Sequence, residues 1–249
     1  MMQITPTVKQ LLIINILFFI GSQMVGEQAY NVLSLFFFEN DKFQYWQPLS
    51  HMFMHGGIMH IVFNMFALYS FGSALEHFWG GKKFLFFYIS CGLGSAILHT
   101  LVNYLVFHQG LNTLIEAGFK PDEIYGLLNQ EQMDTRWIET LGNSGLQNFT
   151  SAFASPAVGA SGAIYGLLVA FAFMVPNAEL ALMFIPVPIK AKYFVPGLLC
   201  LDLFLGLKGN SIFGGGTGIA HFAHIGGALV GFLMMWYWKK DQFRNNRWN

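Results

Sequence analysis

The run Ala157-Val158-Gly159-Ala160-Ser161-Gly162-Ala163-Ile164-Tyr165-Gly166 places a serine hydroxyl at the mouth of a stretch apolar enough to lie inside a bilayer. A second polar island, Ala223-His224-Ile225-Gly226-Gly227, opens the last such stretch. Reactive polar side chains are costly in hydrocarbon, so their presence there asks for a function. A hydroxyl and an imidazole from two different helices are what serine-nucleophile chemistry needs, with the imidazole removing the hydroxyl proton. A third segment, Ser50-His51-Met52-Phe53-Met54-His55-Gly56-Gly57-Ile58-Met59-His60-Ile61-Val62-Phe63-Asn64, adds His60 and Asn64. They stand four apart and so share one helix face.

These groups need elements to hold them, and the composition says of what kind. The 249 residues are 54% hydrophobic and only 10% charged, where a soluble domain carries about 25% charged residues. An integral membrane protein is expected, sized for one bundle without a separate soluble domain. The formal net charge is zero, and no basic patch points to nucleic acid. Cys91 and Cys200 both fall in apolar spans, which argues against a structural disulfide. After Leu11–Ile20 come Met24, Val25 and Glu27, without a small-residue cleavage site. The first apolar stretch therefore reads as a retained helix rather than a signal peptide.

Apolar spans fall at Leu11–Val25, Met52–Ala74, Phe84–Phe107, Val158–Val175, Tyr193–Leu207 and Ile219–Trp238. Six spans put both termini on one side, and Lys and Arg choose that side. Lys9, Lys82, Lys83, Lys190, Lys192, Lys239, Lys240, Arg244 and Arg247 fall with the termini, and only Lys42, Lys120, Arg136 and Lys208 fall opposite. The expectation is an all-α membrane protein, a bundle of six transmembrane helices with both termini cytoplasmic. Trp236, Trp238 and Trp248 read as an aromatic belt at the inner face. Pro186 and Pro188 stop a helix and force a turn in the inward connection Pro176–Lys192. Glu27–Ser50 reads as an interfacial connection, and 110–155 as an extended outer (periplasmic) loop insertion with small surface helices.

The second, fourth and sixth helices then run in one direction, so His60, Asn64, Ser161 and His224 occupy one depth. Ser161 sits at a helix N-terminus, where unpaired N–H groups favour developing negative charge. Gly162 and Gly166 on the fourth helix and Gly227 and Gly231 on the sixth allow a close approach that brings His224 to Ser161.

The combination resembles the rhomboid intramembrane serine proteases. The resemblance rests on His60-Ile61-Val62-Phe63-Asn64, on Gly159-Ala160-Ser161-Gly162 with Tyr165, and on Ala220-His221-Phe222-Ala223-His224-Ile225-Gly226-Gly227-Ala228-Leu229-Val230-Gly231, with Trp46 and Glu76 also matching. It spans Trp46 to Gly231 and implies a single rhomboid-type membrane domain over 1–249. It further implies Ser161 as nucleophile and His224 as general base, a pair without a carboxylate third member. His60 and Asn64 with the Ser161 N–H would form the oxyanion hole, and Tyr165 would hold the His224 ring. The implied partners are the lipid bilayer and transmembrane segments of substrate proteins, cut near the outer face. No cofactor or metal is implied, and the implied location is the cell inner (cytoplasmic) membrane. Where many members carry Trp-Arg in the first outer loop, this chain has Trp46-Gln47.

Two other readings compete. His51, His55 and His60 form an imidazole cluster of the kind that binds zinc, as in a metal-binding membrane protein or transporter. Against it, the segment lacks His-Glu-x-x-His and a nearby carboxylate. A rhomboid-like protein that binds clients without cutting them would be marked by loss of the serine or the histidine, and both are present. Asp202 reads as a polar partner within the bundle, and Glu76 as a hydrogen-bonding group near the inner interface. Neither His99, His108 nor His221 is assigned a role. Oligomeric state and the physiological substrate are not legible.

Overall fold

The computed structural model describes residues 3–182, 185–208 and 219–245. Arg247 and Trp248, used above, lie outside them. The first helix, α1 (Pro6–Val25), starts with proline at its first position and ends at Gly26, whose φ of 74° suits glycine. Its opening N–H groups are capped from another helix. Glu76 accepts from the N–H groups of Thr7 (2.9 Å) and Val8 (2.8 Å) and from the Thr5 hydroxyl (2.5 Å). A buried carboxylate thus satisfies donors that α1 could not satisfy itself.

The connection after α1 forms α2 (Glu27–Leu33) and α3 (Gln47–Ser50), followed by a 3-10 turn over His51–Phe53. Gln47 is fully buried and organises this connection. Its Oε1 accepts from the Phe36 N–H at 3.2 Å, and its Nε2 donates to the Lys42 carbonyl at 2.9 Å. Trp46 donates from Nε1 to the Val32 carbonyl at 2.9 Å. Loop packing is therefore intact with glutamine at this position. Leu35, Phe36 and Phe37 turn inward and are buried.

Helix α4 (Ile58–Ala67) continues through a π-helical turn at Leu68–Gly72 into α5 (Ser73–Trp79). Helix α6 (Gly81–Glu116) runs 36 residues, nine beyond the expected end at Phe107. Next come α7 (Pro121–Asn129) and α8 (Trp137–Ala154), the latter broken at Gly142 (φ 69°). Helices are thus present in the 110–155 segment, and they also carry a core of their own. Phe37, Phe107, Trp137, Phe149 and Phe153 are buried together, with Phe107 and Phe149 stacked at 5.0 Å between centroids. Glu39 ties the lobe down, accepting from His108 Nε2 (2.8 Å) and the Tyr125 hydroxyl (2.5 Å).

Helix α9 (Ser161–Met174) is followed by a hairpin of β1 (Glu179–Leu182) and β2 (Ile185–Lys190), with Glu179 opposite Lys190. The expected proline-forced turn is thus a small antiparallel ribbon in a chain otherwise mostly helical. Helices α10 (Ala191–Lys208) and α11 (Ile219–Asn245) complete the order. The main core joins Phe84, Phe87, Tyr88 and Cys91 of α6 to Ala163, Leu167 and Ala170 of α9 and Ala228 of α11.

Glycine decides how closely these three helices approach. A Cβ on Gly227 would strike the Gly162 carbonyl oxygen, and one on Gly231 would lie 2.8 Å from Gly166 Cα. On the far side, a Cβ on Gly162 would meet Ser95 and one on Gly166 would meet Cys91, both on α6. Many large apolar side chains point outward, among them Leu17, Phe86, Ile97, Leu207 and Trp236. That is the exterior of a protein solvated by lipid rather than water. Among the described residues, Pro6–Val25, Ile58–Trp79 and Gly81–Glu116 are long and apolar enough to cross a membrane. At the Lys/Arg-rich end, Lys83 Nζ sits 4.0 Å from the centre of the Trp238 ring, which meets Trp79 edge-on.

Candidate active site

A cavity of about 960 Å³ opens between α4, α6, α8, α9 and α11. His60, Asn64, Ser161, Tyr165 and His224 all line it. The groups singled out from three separate segments therefore do share one place.

Ser161 is the first residue of α9. The first bond of that helix joins the Ile164 N–H to the Ala160 carbonyl at 3.0 Å, which leaves the N–H groups of Ser161, Gly162 and Ala163 outside the helical ladder. The Ser161 hydroxyl lies 2.9 Å from His224 Nε2. The Tyr165 ring, one turn along α9, stacks on the His224 imidazole with centroids 4.2 Å apart and planes inclined by 10°. The contacts at Gly162, Gly166, Gly227 and Gly231 make the Ser161–His224 distance reachable. A side chain at Gly227 or Gly231 would push α11 off α9, and one at Gly162 or Gly166 would push α9 off α6.

Gly159 serves differently. Its φ of 126° is a conformation that side chains disfavour, and a Cβ there would lie 2.8 Å from His60 Nε2. The Gly159 N–H donates to the His51 carbonyl at 2.9 Å, which fastens the segment before α9 to the turn before α4. His60 Nδ1 accepts from the Gly56 N–H at 3.3 Å. In a neutral imidazole this places the ring proton on Nε2, the nitrogen facing Gly159. Asn64 Nδ2 donates to the His60 carbonyl at 3.0 Å, and its second amide proton remains for the cavity.

The metal reading loses its geometry. His51 is buried with Nδ1 on the Gln47 carbonyl at 3.0 Å, and His55 Nδ1 faces the Phe53 carbonyl at 3.3 Å. Burial holds His51 well below the usual imidazole range, so it is a neutral structural donor. Among the described residues, the histidines and carboxylates that do converge are Asp202, His221 and His224.

That convergence differs from the expected pair without a carboxylate. Asp202, on α10 and 2% exposed, has Oδ1 3.3 Å from His224 Nδ1 and 2.5 Å from His221 Nδ1. Sequence reasoning placed Asp202 in the bundle but gave His221 nothing. The available signal was the three-residue spacing of His221 and His224 on one helix face. His99 and Asn103 of α6, Ser151 of α8 and Ser155 just past its end also line the cavity. The 110–155 segment thus supplies part of the cavity wall.

The Rhomboid domain family model matches residues 42–142 and 137–240. The chain is 26% identical over 196 residues to RHOMBOID-like protein 12, mitochondrial, of Arabidopsis thaliana, covering 79% of this chain and 47% of that protein. It is 29% identical over 146 residues to the presenilin-associated rhomboid-like protein, mitochondrial, of Mus musculus (57% and 36%). With rhomboid protein 1, mitochondrial, of Saccharomyces cerevisiae it shares 25% over 189 residues (76% and 40%). The chain spans less than half the length of these relatives. Their names correct one expectation, pointing to a mitochondrial membrane in place of the cell inner (cytoplasmic) membrane. The physical reason is simple: Lys and Arg asymmetry orients a chain within a bilayer but carries no mark of which bilayer it is.

Proposed function

Since this chain belongs to the rhomboid family, we propose that it is an intramembrane serine endopeptidase, with Ser161 as nucleophile and His224 as general base. The observation that carries this reading is the 2.9 Å contact between Ser161 Oγ and His224 Nε2, at a helix N-terminus facing a cavity among lipid-exposed helices. The substrate is a transmembrane segment of another protein, locally unwound so that one peptide carbonyl reaches Ser161. Six spans (α1, α4 with α5, α6, α9, α10 and α11) carry both termini on the Lys/Arg-rich side, with the cavity toward the opposite face.

Ser161 Oγ attacks the carbonyl carbon while its proton passes to His224 Nε2. The oxyanion forms against the free N–H of Ser161, the Nε2–H of His60 and the amide of Asn64. Each such donor is worth about 2.7–4 kcal/mol of transition-state stabilisation. His224 then protonates the departing amine, and water, activated by the same nitrogen, releases the acyl group from Ser161. Gly159 keeps His60 close to the nucleophile, and Gly227 keeps α11 close to α9.

The test is cleavage of a transmembrane reporter by purified protein in liposomes. Ser161→Ala should abolish cleavage, and a fluorophosphonate should label the wild type and not His224→Ala. Full activity in Ser161→Ala would reject the assignment. A wild type that binds but never cuts would favour client binding instead.

A further inference from the structure

The steps above use His224 and leave idle the polar groups behind it. Asp202 is almost wholly buried, and a buried carboxylate is costly unless paired and hydrogen-bonded. Its Oδ1 is shared between two imidazoles, accepting from His221 Nδ1 at 2.5 Å and His224 Nδ1 at 3.3 Å. Tyr165, already stacked on His224, lies near enough to this carboxylate to interact with it electrostatically.

Both ring nitrogens of His224 are therefore spoken for. An Nδ1–H directed at Asp202 leaves the Nε2 lone pair toward Ser161, which is the tautomer a general base requires. Without an acceptor at Nδ1 the proton could sit on either nitrogen, and the ring could rotate away from the hydroxyl. When the Ser161 proton arrives on Nε2, the new positive charge faces a carboxylate in a medium that screens poorly. His221 lies three residues before His224, on the same face of α11. Its shorter bond fixes the carboxylate that His224 then uses.

We propose that Asp202 is a positioning residue for this reaction, the carboxylate partner of His224, and that His221 holds Asp202 in that role. The inference rests on the serine-protease reading. Asp202 stays ionised throughout; the only proton that moves is the one taken from Ser161 Oγ by His224 Nε2 and passed to the leaving amine. The Asp202, His221 and His224 ligand atoms also lie within 4.8 Å of one another, which suits a divalent cation. A cation on Nδ1 would force the imidazole proton onto Nε2, where it could not accept from Ser161. Relay and metal are mutually exclusive at this site.

The titratable groups facing His224 are Asp202 from α10, His221 on α11, Tyr165 from α9 and His60 from α4; α6 contributes His99 to the shared cavity. Full-length wild type, Asp202→Asn, His221→Gln and Ser161→Ala are compared in liposomes, with melting temperature and helical content reporting the fold. Asp202→Asn should lower kcat by about 10²–10⁴-fold at nearly constant KM, because the wrong tautomer predominates. The acid limb of its kcat/KM profile should move to lower pH, since the imidazolium loses its counter-charge. His221→Gln should shift both in the same direction by less. A folded Asp202→Asn with wild-type kcat and acid limb, beside an inactive Ser161→Ala, overturns this inference alone. An active Ser161→Ala overturns the protease reading, and this inference with it. If Asp202→Asn fails to fold, His221→Gln decides, and unchanged kcat and acid limb there reject the proposal. Loss of wild-type activity on chelation, restored by zinc, rejects it as well.

Discussion

Tyr165 lies flat against His224, ring on ring at 4.2 Å, one helical turn from the hydroxyl that the imidazole contacts. The stack limits the ring to rotation in its own plane, and the bonds at its two nitrogens limit that. Tyr165→Phe keeps the stack and should retain most of kcat. Tyr165→Leu removes an aromatic contact worth about 0.5–1.5 kcal/mol, and kcat should fall about 2–10-fold. Steady-state cleavage of a transmembrane reporter distinguishes the two variants, and equal rates would show that the ring does not hold His224.

His60 and Asn64 predict a kinetic signature rather than a binding one. His60→Ala removes a donor and the ring that Gly159 packs against, and kcat should drop about 10²–10³-fold with little change in KM. Asn64→Ala should cost less, because part of its amide already serves the His60 carbonyl. A rise in KM at constant kcat would assign these residues to substrate binding instead.

Gly227 offers a sharp steric test. A methyl there meets the Gly162 carbonyl oxygen of the facing helix, backbone against backbone, so no side chain can yield. Gly227→Ala should lower the melting temperature and activity together. Gly197→Ala, on α10 with open space around it, should leave both near wild type and even gain a few tenths of a kcal/mol from reduced chain entropy. Thermal melts in detergent with matched activity assays give both readings.

Glu76 predicts a stability effect without a catalytic one. It is the remote cap of α1, and Glu76→Ala should cost about 0.5–2 kcal/mol, the range for losing a helix cap. Glu76→Gln keeps one acceptor oxygen and should cost less. Denaturant midpoints measure the loss, while kcat of the protein that remains folded should be unchanged. A selective loss of kcat would mean that α1 reaches the site.

The parts legible in the sequence were those where polarity breaks an apolar pattern. Ser161, His224, His60 and Asn64 stood out because hydrocarbon makes such residues expensive, and all of them line the cavity. Asp202 gave the same signal, yet its partners depend on how α10 rotates against α11, and helical spacing within one segment cannot report that. Hydropathy fades after Phe107, so the apolar span alone does not show that α6 runs on to Glu116. The helix persists since Phe107, Gly110, Leu111 and Leu114 change partner from the membrane core to α7 and α8. Phe149 and Phe153 carry no signal in the sequence because their packing joins segments far apart along the chain.

The length of α6 has a mechanical consequence. Thirty-six helical residues rise about 54 Å, while the hydrocarbon layer is about 30 Å thick. Near its middle this rod is wedged against α9 and α11 by Gly94 and Ser95, beside Ser161; toward its C-terminal end it carries Phe107 and Gly110, clamped by Phe149. The lobe beyond the apolar core is therefore cantilevered from the same beam that sets the spacing of Ser161 and His224. A force applied to that lobe is delivered, without an intervening hinge, to the floor on which Ser161 and His224 meet.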